Sequence, residues 1–165
     1  MIEISERDGV AIVTLAHGKA NALDTEFCAA ITTAFVKLKT AKSRAVVLTG
    51  QDRMFSAGVN LIRARDGGAR YVRKFLPVLN KMFDTVFNFP KPVVAAVNGH
   101  AIAGGCVLAC CADRRVMARD AGRMGITELM VGVPFPALAF EVMRFVAMPP
   151  DLPTLLYSGE TFSPL

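Results

Sequence analysis

The chain has 165 residues, 53% of them hydrophobic, with a mean hydropathy of +0.40 and a formal net charge of +5. That length suits one domain with a substantial core, spanning 1–165 without a linker, and no apolar run approaches the roughly 18 residues of a membrane helix. The basic residues, from Arg63, Arg65, Arg70, Arg73 and Lys74 to Arg114, Arg115, Arg119 and Arg123, are dispersed without interleaved aromatics, which excludes the pattern of a nucleic-acid binder and leaves a solvated surface or a field for a phosphorylated ligand.

In chain order, Ile2–Ser5 and Val10–Leu15 flank an Asp8-Gly9 turn and read as a hairpin. The acidic, alternating start resembles neither a signal nor a transit peptide, so a cytoplasmic location is expected. Asp24 is placed to cap a helix to about Thr40, with Phe27, Ile31, Phe35 and Leu38 on one face. Ala45–Thr49 is a short buried strand ending at Gly50, followed by a loop over Gln51–Asn60. Asp66-Gly67-Gly68 is a polar break before a helix over about Ala69–Phe87, which Pro90 and Pro92 stop.

Val93–Val97 is the next buried strand; Asn98-Gly99 is a turn pair, and Gly104-Gly105 opens an apolar helix. Arg115–Ala118 reads as a strand, Met124–Val133 as mixed, and Ala137–Val146 as helix. Short buried strands alternating with helices predict an α/β fold. Ser163-Pro164-Leu165 carries a helix-start signal, a cap residue followed by proline, so a further helix and a C-terminally shortened domain are expected. Cys28, Cys106, Cys110 and Cys111 show neither C-x-x-C spacing nor a neighbouring histidine cluster, and are expected to be reduced core thiols without metal.

Three segments carry candidate chemistry. Met54-Phe55-Ser56-Ala57-Gly58-Val59-Asn60-Leu61 and Asn98-Gly99-His100-Ala101-Ile102-Ala103-Gly104-Gly105-Cys106 are small-residue loops whose backbone N–H groups no bulky side chain screens. Two such groups converging on one oxygen stabilise an oxyanion. The third, Gly125-Ile126-Thr127-Glu128-Leu129-Met130-Val131-Gly132-Val133-Pro134, sets one carboxylate in apolar surroundings that raise its proton affinity toward a general acid/base range. Each signal alone is weak, since glycine loops are common and Glu128 has the option of an ordinary ion pair.

In this order, together with Lys19-Ala20-Asn21-Ala22-Leu23-Asp24, Phe89-Pro90-Lys91-Pro92 running into Val93–Gly99, and Tyr157-Ser158-Gly159-Glu160-Thr161-Phe162-Ser163, they resemble the crotonase superfamily, the enoyl-CoA hydratase/isomerase group. The resemblance implies a ββα superhelical core, with the family's later helices, which complete the site and build a trimer or dimer of trimers, absent from this sequence. It implies an acyl-CoA thioester substrate whose carbonyl oxygen is held by the N–H groups of Val59 and Gly104, with Ala20, Ala22, Ala57, Asn60 and Leu61 along the coenzyme A channel. No separate cofactor is implied, because coenzyme A arrives as part of the substrate. Many members have aspartate at the Asn60 position.

The larger departure is Val107. The family's hydratases carry a glutamate directly after the Gly-Gly-Cys and use it with a second one, retained here as Glu128. Val107 transfers no proton, so the resemblance points to an isomerase that moves a Δ3 double bond to Δ2 with Glu128 alone. Hydration through an unseen second group and a catalytically silent acyl-CoA binder are the alternatives. The family's acyl-CoA hydrolases place an aspartate where this chain has Val133-Pro134-Phe135-Pro136. Among the other candidates, His100 is read as a hydrogen-bonded loop residue, Cys106 as an inert thiol and Glu141 as a solvent-facing ion-pair partner. Ser56 lacks a G-x-S-x-G elbow.

Overall fold

The Asp8-Gly9 turn does close a hairpin in this computed structural model, which describes residues 1–120 and 122–164. Both turn residues have positive φ, 53° and 77°, the backbone that a two-residue loop between right-twisted strands requires. β1 (Ile2–Arg7) and β2 (Val10–Leu15) pair antiparallel, with Arg7 opposite Val10, so β1 runs two residues beyond the expected Ser5. From β2 the pairing turns parallel, through β3 (Ala45–Thr49) and β5 (Val93–Val97) to β7 (Arg114–Met117), in the order β1-β2-β3-β5-β7. Alternation along β2, β3 and β5 buries Val13, Leu15, Val46, Leu48, Val93 and Ala95.

A second sheet is built from short pieces: β4 (Met54–Ser56), β6 (His100–Ile102), β8 (Met124–Gly125) and β9 (Thr161–Phe162), in the order β4-β6-β8-β9. β3, β4 and helix α2 (Leu61–Phe87) form one unit; β5, β6 and α3 (Gly104–Cys110) form the next, and β7, β8 and α4 (Ala137–Val146) the third. Each unit sends one strand into each sheet and returns through a helix. The result is the ββα spiral of an α/β fold that the resemblance implied. A last short helix, α5 (Leu152–Tyr157), precedes β9 and was not expected from the sequence.

Helix α1 (Thr25–Lys39) buries Phe27, Ile31, Phe35 and Leu38 as their spacing predicts. Its far end is closed by Lys91, whose Nζ donates to the carbonyls of Leu38 (2.6 Å) and Ala41 (2.8 Å). Helix α2 differs from expectation. It starts at Leu61 rather than Ala69, because Asn60 caps it by accepting from Arg63 N at 3.1 Å, and only Gly68 leaves helical geometry (φ 54°, ψ −157°). Two helical stretches meet across a kink at Gly68, so the expected break at Asp66-Gly67-Gly68 and the helix after it are present, and the unexpected part is the stretch from Leu61 before it. The helix start expected at Ser163-Pro164-Leu165 ends on a residue outside those described. All four cysteines are unpaired and buried. Among the described residues no helix is long and apolar enough to cross a membrane.

Asp24 ties the first helix to the second. Its Oδ1 accepts from Phe27 N (2.9 Å), while Oδ2 lies 2.9 Å from His17 Nε2 and 3.3 Å from Arg63 Nη1. Burial alone raises its pKa, but the bonds from Phe27, His17 and Arg63 outweigh it and hold the carboxyl below its ordinary value. Asp24→Ala is expected to lower stability by about 1–2 kcal/mol through the lost cap, whereas Asp24→Asn keeps the cap and loses only the charge. The charge contribution is present in full above the unfolded value of about 3.9 and is lost as pH falls through the lower folded value. Urea unfolding of wild type and Asp24→Asn should therefore differ at neutral pH and converge in acid.

Candidate active site

The loop after β4 is held against the segment before α1 by a parallel bridge between Leu23 and Val59. Leu23 N donates to Gly58 O (2.8 Å) and Asn60 N donates to Leu23 O (2.9 Å). This pattern uses the groups on either side of Val59 and turns the N–H of Val59 itself to the opposite side, where it meets no acceptor among the described residues. The second free donor is Gly104, the first residue of α3, since the first turn of a helix leaves its N–H groups without intrahelical partners. Ala103, just before it, has φ 53° and ψ −126°, a conformation alanine seldom adopts; it is pinned by Ala103 N to Gly125 O (2.8 Å) and by Val107 N to Ala103 O (3.1 Å).

Glycine lets these two loops touch. A Cβ on Gly58, whose φ is 80°, would lie 2.7 Å from Ile102 O and 2.9 Å from Gly104 N; one on Gly105 would lie 2.2 Å from Ser56 O. Beneath them sits Asn21, itself at φ 46°. Its Nδ2 donates to the carbonyls of Leu15 (3.0 Å), Phe55 (3.1 Å) and Met54 (3.3 Å), and its Oδ1 accepts from His17 N (2.7 Å). Ser56 Oγ donates to Asn21 O (2.8 Å) and accepts from Gly58 N (3.2 Å). The loop carrying Val59 is thus positioned by a buried polar network.

Val59, Gly104, Val107 and Glu128 line one cavity of about 170 Å³. Glu128 opens a 3₁₀ turn, Glu128–Val131, and is 6% exposed. Thr127 N donates to its Oε2 (3.0 Å), and no cation pairs with it among the described residues. Burial pushes its pKa above the ordinary glutamate value; hydrogen bonds from its own N–H and that of Thr127 offset this only in part. Among the described residues it is the single titratable side chain on the cavity wall, and the fully buried Val107 offers no proton beside it. A carboxylate of raised basicity that shares an apolar cavity with two free N–H donors has the groups needed to move a proton on a carbon next to a carbonyl.

The residues assigned to the coenzyme A channel divide. Ala57 N donates to Ala20 O (2.9 Å), which places those two side by side. Ala57 lines a second cavity of about 180 Å³ that shares Val59, Leu61, Glu128 and Val133 with the first. Leu61 is exposed at the mouth of both. The Asn60 carboxamide oxygen is committed to the cap of α2, and Ala22 is half-buried next to the bridge residue Leu23 without bordering either cavity. His100 lies in β6 and accepts from Arg123 N at 3.2 Å; Glu141 pairs with Arg144 at 2.6 Å on the surface of α4. The Cys106 thiol, hydrogen-bonded to Cys110 and buried, is pushed well above its usual value. Sequence reasoning missed the cavity wall supplied by α2, where Val72, Phe75, Leu79 and Phe83 form a helical stripe that reads as ordinary core.

A profile of the family described as enoyl-CoA hydratase/isomerase matches residues 5–147. A putative enoyl-CoA hydratase of Thermus thermophilus is 39% identical over 137 residues, covering 80% of this chain and 53% of that protein. The mitochondrial enoyl-CoA delta isomerase 1 of Mus musculus is 30% identical over 139 residues, 82% of this chain and 48% of that protein. The chain spans about half the length of these curated relatives. A crystal structure of an enoyl-CoA hydratase/carnithine racemase from Magnetospirillum magneticum superposes with a TM-score of 0.90 at 28% identity, over 98% of this chain and 62% of that one.

Asn21→Ala removes the amide group that makes three donated hydrogen bonds and leaves a side chain that tolerates φ 46° poorly. It is expected to destabilise the fold by about 2–3 kcal/mol, the scale of a broken buried polar network, as read by a fall in the urea midpoint.

Proposed function

Since the chain belongs to the enoyl-CoA hydratase/isomerase family, we propose that it acts on an acyl-CoA thioester and shifts a carbon–carbon double bond from the Δ3 to the Δ2 position. The observation that carries this reading is Glu128, the one titratable side chain on the wall among the described residues, in the same cavity as Val59, Gly104 and Val107. In the forward step the Glu128 carboxylate takes a proton from C2, and the electron pair of that C–H bond moves into the C2–C1 region. Negative charge builds on the thioester oxygen, where the two N–H groups hold it. The same carboxyl then returns the proton to C4 while the C3–C4 double bond becomes C2–C3. Substrate and product have the same composition, and Glu128 ends as it began.

Hydration would add water across the double bond and calls for a second group to activate that water. The cavity wall offers none beside Glu128, which is why isomerisation is preferred even though relatives carry both kinds of name. An oxyanion donor contributes on the order of 10²–10³ in rate and a positioned acid/base on the order of 10²–10⁴. Assembly into a trimer, resting on the resemblance alone, belongs to the same proposal, and a well-behaved monomer in sedimentation would count against it.

Glu128→Gln is the decisive variant. Turnover of a 3-enoyl-CoA should fall by about 10²–10⁴-fold, while affinity for a saturated acyl-CoA persists. Persistent turnover would refute the role of Glu128, and wild-type protein that binds without turning over would favour the silent binder. The pH dependence has a definite sign. Glu128 must be ionised to accept a proton and its pKa is raised, so the acidic limb of kcat/KM should lie above the ordinary glutamate value of about 4.3. The same shift means that the ionised group weakens the fold at neutral pH; Glu128→Gln should therefore raise Tm there, and the difference should vanish once the wild-type carboxyl is protonated.

A further inference from the structure

The cavity beside Glu128 has a wall of known composition and a closed inner side. Apart from Glu128 its lining is apolar side chains and glycine. Phe75 (2% exposed), Leu79 (2%) and Phe83 (1%) of α2 and Ala139 (1%) of α4 stand on the buried side. The open side is bordered by exposed residues, among them Leu61, Leu76 and Pro134. A chain entering past Glu128 therefore runs between α2 and α4 and stops against tightly packed carbon.

Resting on the acyl-CoA reading above, we propose that this enclosure limits the substrate to short, unbranched acyl chains of about six carbons without polar substituents, and that Leu79 and Ala139 set the limit from opposite walls. The magnitude follows from volume. A dry apolar cavity of roughly 150 Å³ holds one benzene, that is, six carbons, and this cavity measures about 170 Å³. A hydroxyl or carboxylate on the distal chain would be buried against Phe75, Leu79 and Phe83 with no hydrogen-bonding partner on the wall, so such substrates are rejected. A longer apolar chain must push apart α2 and α4 or leave its tail in water, and in either case gains nothing from its added methylenes.

The test is calorimetric binding of saturated acyl-CoAs in two-carbon steps from butanoyl to dodecanoyl, with wild type, Ala139→Leu and Leu79→Ala. Below the limit, affinity should rise about fourfold per methylene; beyond about six carbons it should level or fall. Ala139→Leu should move the break to a shorter chain and Leu79→Ala to a longer one. If Leu79→Ala fails to fold, as a fresh core cavity permits, Ala139→Leu decides alone. Affinity that climbs without a break to dodecanoyl-CoA, or a break unmoved in every folded variant, overturns the proposal. Saturated ligands undergo no isomerisation, so an intact break without turnover sinks only the reaction, whereas turnover without a break sinks only the length limit.

Discussion

Two hydrogen bonds across the Leu23–Val59 bridge constrain everything that follows. They commit the carbonyl of Gly58 and the N–H of Asn60 to the segment before α1, and parallel pairing then leaves the Val59 N–H facing away from its neighbour. Val59 is only half-buried and borders the cavity, and the loop that carries it is held by other contacts. Asn21 and Ser56 do this from below, and the contact between Gly58 and Gly104 does it from the side. The Val59 N–H is thereby held in place without an acceptor among the described residues.

The opposite wall follows the same logic with opposite charge. Among the described residues Glu128 is buried without a counter-ion and has only backbone N–H groups as partners, which leaves its proton affinity raised. By contrast Asp24 is surrounded by His17, Arg63 and the Phe27 N–H, and its affinity is lowered. Two carboxylates of similar solvent exposure thus divide into a structural anchor and a candidate acid/base, because Glu128 lies deeper among protein atoms and lacks the cationic partners that Asp24 has among the described residues.

Much of this was legible in the sequence where the cause is local. The Asp8-Gly9 turn, the Asp24 cap and the apolar runs of β3 and β5 each specify their element from a few adjacent residues. The second sheet was not legible, because β4, β6 and β8 are three residues or fewer and exist only by pairing with segments tens of residues away. The part of α2 before Gly68 was missed for a related reason: the stretch between the Asn60 cap and the break at Gly68 is too short to show a periodicity of its own. Glu128 stood out as a lone carboxylate in an apolar run, the choice of Val59 and Gly104 within their loops came from resemblance, and the structure brings the three residues to one cavity. The α2 stripe that walls it looks like any core-facing helix until α4 is placed across from it.

The most direct measurement is mass-spectrometric product analysis after incubation with a 3-enoyl-CoA in heavy water. The account predicts a 2-enoyl isomer that has gained no water and that carries deuterium at C4 to the extent that the proton held by Glu128 exchanges with solvent before its return, since one carboxylate moves protons and no second group on the described cavity wall activates water. A 3-hydroxyacyl product would contradict it, because hydration would then proceed with Val107 where a second carboxylate is needed.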